Sequence, residues 1–419
     1  MSPPKNLTRV ILAASAGNAL EFFDFTVFGY FAIQIAAAFF PAHSQSASLL
    51  ATWATYGTAF LARPVGALVL GSYADRVGRR AAMTAAILLM TAGTFLMAAM
   101  PPFTAIGALA PAGILLARLM QGFSAGGEFG GATAFMMEHA PGRRGFFASF
   151  QFTSQAVSNL AAAFCAWLVN DLLGPADMAS WGFRVPFAIG LLIGPVGLYL
   201  RRHVDETPVF LASTRSGEPA RQVLTHAPGR VLLAAGLLAA GTAATYIGIY
   251  LPTYAQHDLH MKAGDSFLAP ILGSALSLIV TPVIASASDR VGRFRPMILC
   301  SALLAACSIP AFVLLSALPN LGILLAMTAL IGVLRAAYSA PMPALLAELF
   351  PPVLRAVGMS AGYSAGVVLF GGLAPFICDW LIDATDDRTA PGWYVAACAI
   401  ISLAAVFAIA AHVQLHTDR

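Results

Sequence analysis

Charge is what this 419-residue sequence has least of: Asp, Glu, Lys and Arg together supply 10% of it, against roughly 25% in a soluble domain. With 59% of residues hydrophobic, there is too little polar material to cover a water-facing globule, so the chain reads as a polytopic membrane protein. No G-x-x-x-x-G-K-[ST] loop occurs, which leaves no ATP-binding loop of that kind. No H-E-x-x-H occurs either, and the eight histidines fall in loops or at the ends of apolar stretches, so metal-assisted hydrolysis has no site. The five cysteines (Cys165, Cys300, Cys307, Cys378, Cys398) show no CxxC spacing and carry no expected metal or redox role. No small-residue cleavage site follows the first apolar stretch, which therefore stays as a membrane helix.

What is present is a series of long apolar runs. Twelve stretches of about 20 residues succeed one another, at 9–38, 48–72, 81–100, 105–137, 145–170, 183–200, 229–255, 265–287, 296–315, 319–345, 355–381 and 391–413. Lysine and arginine are retained on the cytoplasmic side of a membrane. Of the 23 basic residues, seventeen fall on the side of the termini and three (Arg184, Lys262, Arg388) on the other. Both termini are accordingly expected in the cytoplasm, and the net charge of +4 follows from topology, with no nucleic-acid partner implied.

The chain repeats itself. "GSYADRVGRR" (71–80) follows the second run and "ASASDRVGRF" (285–294) the eighth, so Asp75, Arg76 and Arg79 recur as Asp289, Arg290 and Arg293. "EHAPGRRG" (138–145) and "ELFPPVLRA" (348–356) echo each other after runs four and ten. A duplication of six spans divides the chain into an N-terminal bundle (1–200), a polar, proline-bearing cytoplasmic linker (201–228) and a C-terminal bundle (229–419).

Twelve spans in two halves with paired D-R-x-G-R loops resemble the major facilitator superfamily. "GNALEFFDF", "FLARPVGA", "RLMQGFSAGGEFGGA", "WGFRVPF" and "RRHVDETPVF" resemble its metabolite:proton symporter branch, in wording nearest to citrate and tricarballylate symporters. The resemblance implies an all-α fold of twelve transmembrane helices and a bacterial inner-membrane location. It also implies a gate made of Asp75, Arg76, Arg79, Glu138 and Arg144 with Asp289, Arg290, Arg293, Glu348 and Arg355. Such acids and arginines at helix ends can clasp neighbouring spans through helix-end partial charges. Plain membrane anchoring is the competing reading, preferred for Arg80 and Arg295. The second loop, with Ala285 and Phe294 in place of Gly71 and Arg80, is the degenerate copy.

Six charges lie inside the spans: Glu21, Asp24 and Glu128, against Arg63, Arg118 and Arg335. An ionised carboxylate at the bilayer centre costs at least ~3 kcal/mol, so these need partners, protons or water. Glu21 and Asp24 lie about 60° apart on span one and can share a cavity. Arg118 and Glu128 are separated by about 15 Å along span four and cannot pair. An inner cluster of Arg63, Glu128 and Glu21 is expected, in which Arg63 can pair with either acid. A central cluster of Asp24, Arg118 and Arg335 is expected further out. The two arginines offer carboxylates a flat bidentate fork. Asp24 is the acid expected to take up a proton, with Arg118 as its counter-charge, and Glu21, Glu128 and Arg63 complete the proton-coupling set.

Gln151, Ser154, Gln155, Ser158 and Asn159 form a polar stripe on span five, and a cavity face is favoured for it because amides facing lipid go unsatisfied. Tyr246 and Tyr250 on span seven and Tyr338 on span ten join Gln155, Asn159, Arg118 and Arg335 as substrate-binding candidates. Tyr254 reads as interfacial belt, and Pro252 either bends span seven or ends it. Gly122, Gly126 and Gly130 permit close approach of another helix to span four.

These readings converge on a proton-driven symporter of a small organic anion, citrate or a related tri- or dicarboxylate, working by alternating access as a monomer without cofactor. Zwitterionic osmolytes and shikimate-like acids are alternative cargoes. Drug:proton export suits three intramembrane arginines poorly. A non-transporting receptor would want a signalling domain, and about nine residues precede span one and about six follow span twelve.

Overall fold

The computed structural model describes residues 7–77, 79–127, 133, 143–202, 228–351 and 354–417. Within lipid every backbone N–H and C=O must be paired internally, and in its described residues each of the twelve apolar stretches answers this by being largely helical. Span one comprises Leu7–Tyr30 and Ala32–Phe39, span two Gln45–Val77, span three Arg79–Ala99 and span four Leu109–Ser124 with a 3-10 turn at Ala125–Gly127. Span five runs through Arg144–Ala148 and Phe150–Leu172, and span six is Val185–Arg202. Spans seven to nine are Pro228–His257, Ala263–Val291 and Phe294–Ala317. Span ten is Leu321–Ser339 and Met342–Leu349; span eleven is Arg355–Val367, a π turn Val368–Gly372 and Ala374–Thr385; span twelve is Ala390–Thr417.

Seven of these stretches are long and apolar enough to cross a membrane as they stand among the described residues: spans five and seven to twelve.

Two local expectations change. Span one is not one continuous rod: Glu21–Tyr30 and Ala32–Phe39 meet at 70° around Phe31. Span seven runs through Pro252 to His257, so that proline does not end it.

In the N-terminal half, span four packs on spans two and three, and span one on five and six. In the C-terminal half, span seven packs on eleven and twelve, and span ten on eight and nine. Spans two and four touch backbone to backbone. A Cβ on Gly122 would lie 1.8 Å from the carbonyl oxygen of Ala59, and one on Gly126 would lie 2.2 Å from that of Arg63. The expected approach is therefore made at Gly122 and Gly126, with span two as the partner; Gly130 lies outside the described residues.

The two halves meet along spans five and eight and at spans two and eleven. The π turn of span eleven widens the helix where Gly372 receives Phe60 of span two; a Cβ there would stand 2.1 Å from the Phe60 ring. Aromatic pairs close the halves on the face away from the repeated loops: Tyr30 and Phe31 against Phe267 (ring centroids 5.9 and 6.4 Å), and Trp53 against Tyr250 (5.6 Å).

Candidate substrate and proton site

The N-terminal half holds its charges in an aromatic cage. Arg63 pairs with Glu21 at 2.9 Å, and its guanidinium lies over the rings of Phe25 (4.8 Å) and Phe60 (4.9 Å). Glu21 is thus one of the two acids expected to serve Arg63; Glu128 lies outside the described residues. Arg118 is fully buried, with the rings of Phe25, Phe28 and Tyr56 at 4.6, 4.6 and 4.9 Å from its guanidinium carbon. Desolvated cation–π contacts stabilise by about 2 kcal/mol each, so three rings offset much of the cost of burying that cation.

Asp24 does not pair directly with Arg118. Instead the two are joined through two uncharged side chains. Arg118 Nη1 donates to Gln121 Oε1 at 2.8 Å, Gln121 Nε2 donates to Thr94 Oγ1 at 3.2 Å, and the Thr94 hydroxyl donates to Oδ2 of Asp24. The same hydroxyl stands 3.0 Å from the carbonyl oxygen of Met90, so its single proton can serve either acceptor. The second carboxylate oxygen of Asp24, Oδ1, has no hydrogen-bond partner and faces the backbone of span six, where a Cβ on Gly190 would lie 2.4 Å away. Asp24 is 5% exposed.

Neither linking residue was singled out in the sequence. Gln121 carried a usable signal, because it sits three residues after Arg118 and so on the same helix face. Thr94 carried none: threonines in apolar helices commonly bond their own preceding turn.

Arg335 is placed differently. It lines a cavity between the halves together with Tyr30, Asn159, Thr245 and Gly248. Its guanidinium donates to Thr245 Oγ1 at 3.1 Å and to Ser277 Oγ at 2.5 Å, and no acid pairs with it among the described residues. Arg118 does not line this cavity; the rings of Phe25, Phe28 and Tyr56 close around it. The expected central pair of arginines is therefore one cavity-facing cation and one caged cation.

The span-five stripe splits in the same way. Gln151 and Ser154 bond Asn18 of span one (Asn18 Nδ2 to Gln151 O 2.9 Å and to Ser154 Oγ 2.7 Å), and Ser158 bonds the Ala19 carbonyl. These residues zip spans one and five together. Only the outer pair faces space. Asn159, held by Thr26 at 2.7 Å, lines the Arg335 cavity, and Gln155 lines a second, smaller one with Thr245, Tyr246 and Tyr363.

Among the candidate tyrosines, Tyr246 points an unpartnered hydroxyl at that smaller cavity. Tyr250 donates to Asp379 at 3.1 Å and Tyr338 to the Leu237 carbonyl at 2.6 Å, so both bind helices within the C-terminal half and line neither cavity. Tyr254 is wholly buried and donates to the Arg388 carbonyl at 2.7 Å, which corrects its reading as an interfacial residue.

On the face that carries the repeated loops, Asp289 of span eight accepts from the backbone N–H groups of Gly145 (2.9 Å) and Phe146 (3.1 Å) at the start of span five. This joins the halves through the free amides of a helix N-terminus, where a negative charge is favoured. Gly145 is needed there, since a Cβ would stand 2.6 Å from Asp289 Oδ1. Arg293 pairs with Glu348 and lies 4.0 Å from Asp289, while Arg355 donates to the Ala347 carbonyl at 2.9 Å. Arg144 and Arg290 are exposed. The side chains of Asp75, Arg76 and Arg79, and the whole of Glu138, lie outside what is described. The loop read as degenerate thus supplies the clasp that is seen.

Comparison with known proteins agrees with this architecture. Residues 14–318 match the model of the Major Facilitator Superfamily, and residues 227–417 that of the family described as Sugar (and other) transporter. A citrate-proton symporter of Salmonella typhi is 40% identical over 94% of this chain and 92% of its own length. An alpha-ketoglutarate permease of Escherichia coli is 34% identical over 94% and 91%, and a proline/betaine transporter of Salmonella typhimurium 34% identical over 95% and 82%. The partially occluded, inward-open structure of the xylose transporter XylE from E. coli superposes with a TM-score of 0.78, covering 96% of this chain and 97% of that one at 16% identity, a likeness of fold alone. Family match, near full-length relatives and the twelve-helix, two-half architecture agree, and the chain belongs to the major facilitator superfamily.

Proposed function

We propose that this protein takes up citrate, or a closely related tri- or dicarboxylate, together with protons, by alternating access between its two halves. The observation that carries the reading is Arg335: a cation facing the cavity between the halves, with hydroxyls around it and no acid paired to it among the described residues. Such a group favours a ligand that brings its own carboxylates. The citrate-proton symporters at 38–40% identity support the same cargo.

Asn159 and Thr245 line that cavity, and Gln155, Thr245 and Tyr246 line the smaller one; together they supply further donors and acceptors for carboxylate and hydroxyl groups. Asp24 is the proposed proton carrier. Gln121 and Thr94 connect it to Arg118, so a change at either end of the chain is felt at the other. Glu21 and Arg63 neutralise each other and serve as a structural pair. The termini are placed in the cytoplasm, which makes the Asp289 clasp the inner gate.

Purified protein in sealed vesicles, given labelled citrate and an inwardly directed proton gradient, tests this directly. Accumulation that collapses when the gradient is dissipated is the expected result. Proline and betaine form a second arm, because relatives with those names are 34% identical. A zwitterion also presents a cation, for which the described cavity-lining residues offer no acid. Concentration of betaine without citrate would replace the proposal.

A further inference from the structure

Spans seven and eleven bury a second group of ionisable residues, on the face opposite the repeated loops, that the transport site does not use. Asp379 is 5% exposed; its Oδ1 accepts from the Tyr250 hydroxyl at 3.1 Å and its Oδ2 has no partner. Asp258 has an 8% exposed side chain, with Oδ1 3.3 Å from His257 Nδ1 and Oδ2 unpartnered. One ligating atom each from His257, Asp258 and Asp379 lie within 4.8 Å of one another. Neither acid pairs with lysine or arginine among the described residues. Thr253, on the same stripe of span seven as Tyr250 and His257, is 1% exposed and also has an unpartnered hydroxyl.

Two buried carboxylates so close cannot both stay ionised without a counter-cation. Apart from the His257 ring beside Asp258, which can offset one charge but not two, the described neighbouring elements bring none. Span eleven itself adds Asp383 and Cys378, span twelve adds Cys398, and residues 45–60 of span two contain no charged side chain. Arg388, in the turn before span twelve, reaches this region through its carbonyl oxygen on Tyr254.

We infer that His257, Asp258 and Asp379 form a divalent-cation site that ties the outer ends of spans seven and eleven together. Two carboxylates and a neutral imidazole carry a charge that one divalent ion cancels. The mixture of imidazole and carboxylate suits manganese, iron or zinc better than magnesium or calcium. The ion enters past His257, whose side chain is 18% exposed. A proton carried across the membrane is the poorer occupant, because its inward path is shut by Tyr250 packed edge-on against Trp53 at 5.6 Å, whereas a resident ion needs access from one face only. Tyr250 also gives the site a consequence. Holding Asp379 fixes the tyrosine that closes the halves on that face, so the ion favours the closed outer face.

The test uses chelator-stripped, citrate-free protein in detergent, titrated with Mn²⁺ alone. Manganese is chosen because buried thiols attract it less than they attract zinc. One equivalent is expected to bind and to raise the unfolding temperature, since an ion that binds the folded state stabilises it. Asp379→Asn and His257→Gln should each weaken Mn²⁺ binding at least tenfold. Absence of binding, or wild-type affinity in either variant, overturns the inference. So does a stability that follows pH alone, is indifferent to Mn²⁺, and loses its pH dependence in Asp379→Asn, because protons then do the neutralising. If Asp379→Asn does not fold, the partly exposed His257→Gln decides by the same readout.

Discussion

Arg118 hands its hydrogen bond to Gln121, at 2.8 Å, and not to the acid whose charge it would neutralise. Gln121 and Thr94 stand between Arg118 and Asp24, so the two ionisable groups influence each other through a chain in which only the last link, the Thr94 hydroxyl, can reverse. Reversal needs only the Thr94 hydroxyl to turn from Asp24 to the Met90 carbonyl, 3.0 Å away.

This geometry predicts that Asp24→Asn, which mimics the protonated acid, loses proton-driven accumulation while keeping exchange of citrate across the membrane. Thr94→Val should displace the pH dependence of uptake without removing transport. Counterflow and gradient-driven uptake in the same vesicles separate these outcomes. Unchanged pH dependence in both variants would take Asp24 out of the coupling step.

At the cavity, Arg335→Gln is expected to weaken citrate binding by about 1.5 kcal/mol or more, roughly tenfold, as for loss of a charge-assisted hydrogen bond. Arg335→Lys should recover little, because one ammonium cannot hold Thr245, Ser277 and a carboxylate in the geometry of a planar fork. Calorimetric titration of the purified variants checks both. Normal affinity in Arg335→Gln would remove this residue from the substrate site.

Arg118→Gln should behave differently from Arg335→Gln. Three rings pack on the Arg118 guanidinium, so its removal leaves a void lined by aromatic rings and should lower the unfolding temperature in the absence of substrate. Comparing the two variants without citrate distinguishes a caged cation from a ligand-facing one.

The clasp between spans eight and five predicts that Asp289→Asn opens the loop face. Loss of the charge weakens two hydrogen bonds to the amides of Gly145 and Phe146. A single cysteine placed in the central cavity should then react faster with a reagent supplied from the side of the repeated loops. Labelling at the wild-type rate, with wild-type transport, would reduce Asp289 to an anchor.

Glycine packing gives a prediction about folding. In Gly122→Val the new Cβ would meet the Ala59 carbonyl oxygen at 1.8 Å, and backbone cannot yield as a side chain can. Spans two and four must separate, at a cost of about 3 kcal/mol or more by the range for overpacked sites. Folded yield should fall sharply, while Gly71→Ala, with nothing within 4 Å, should be tolerated.

The number of helices, the repeat and the six intramembrane charges were legible in the sequence, because hydrophobic length and the cost of charge in lipid act along the chain and need no partner. The D-R-x-G-R repeat likewise drew attention to Asp289, although the amides of Gly145 and Phe146 that donate to it became evident only when spans eight and five were brought together. Which cation meets which acid was decided by tertiary structure. Among the described residues, Arg63 meets Glu21 across spans, Arg335 meets only hydroxyls, and Asp24 is reached through Thr94. Helical periodicity sets the direction of each side chain but not the rotation of one helix against the next. That rotation follows from close packing: the glycine contacts that seat span four on span two, and the aromatic rings that leave Arg118 enclosed while Arg335 faces the cavity.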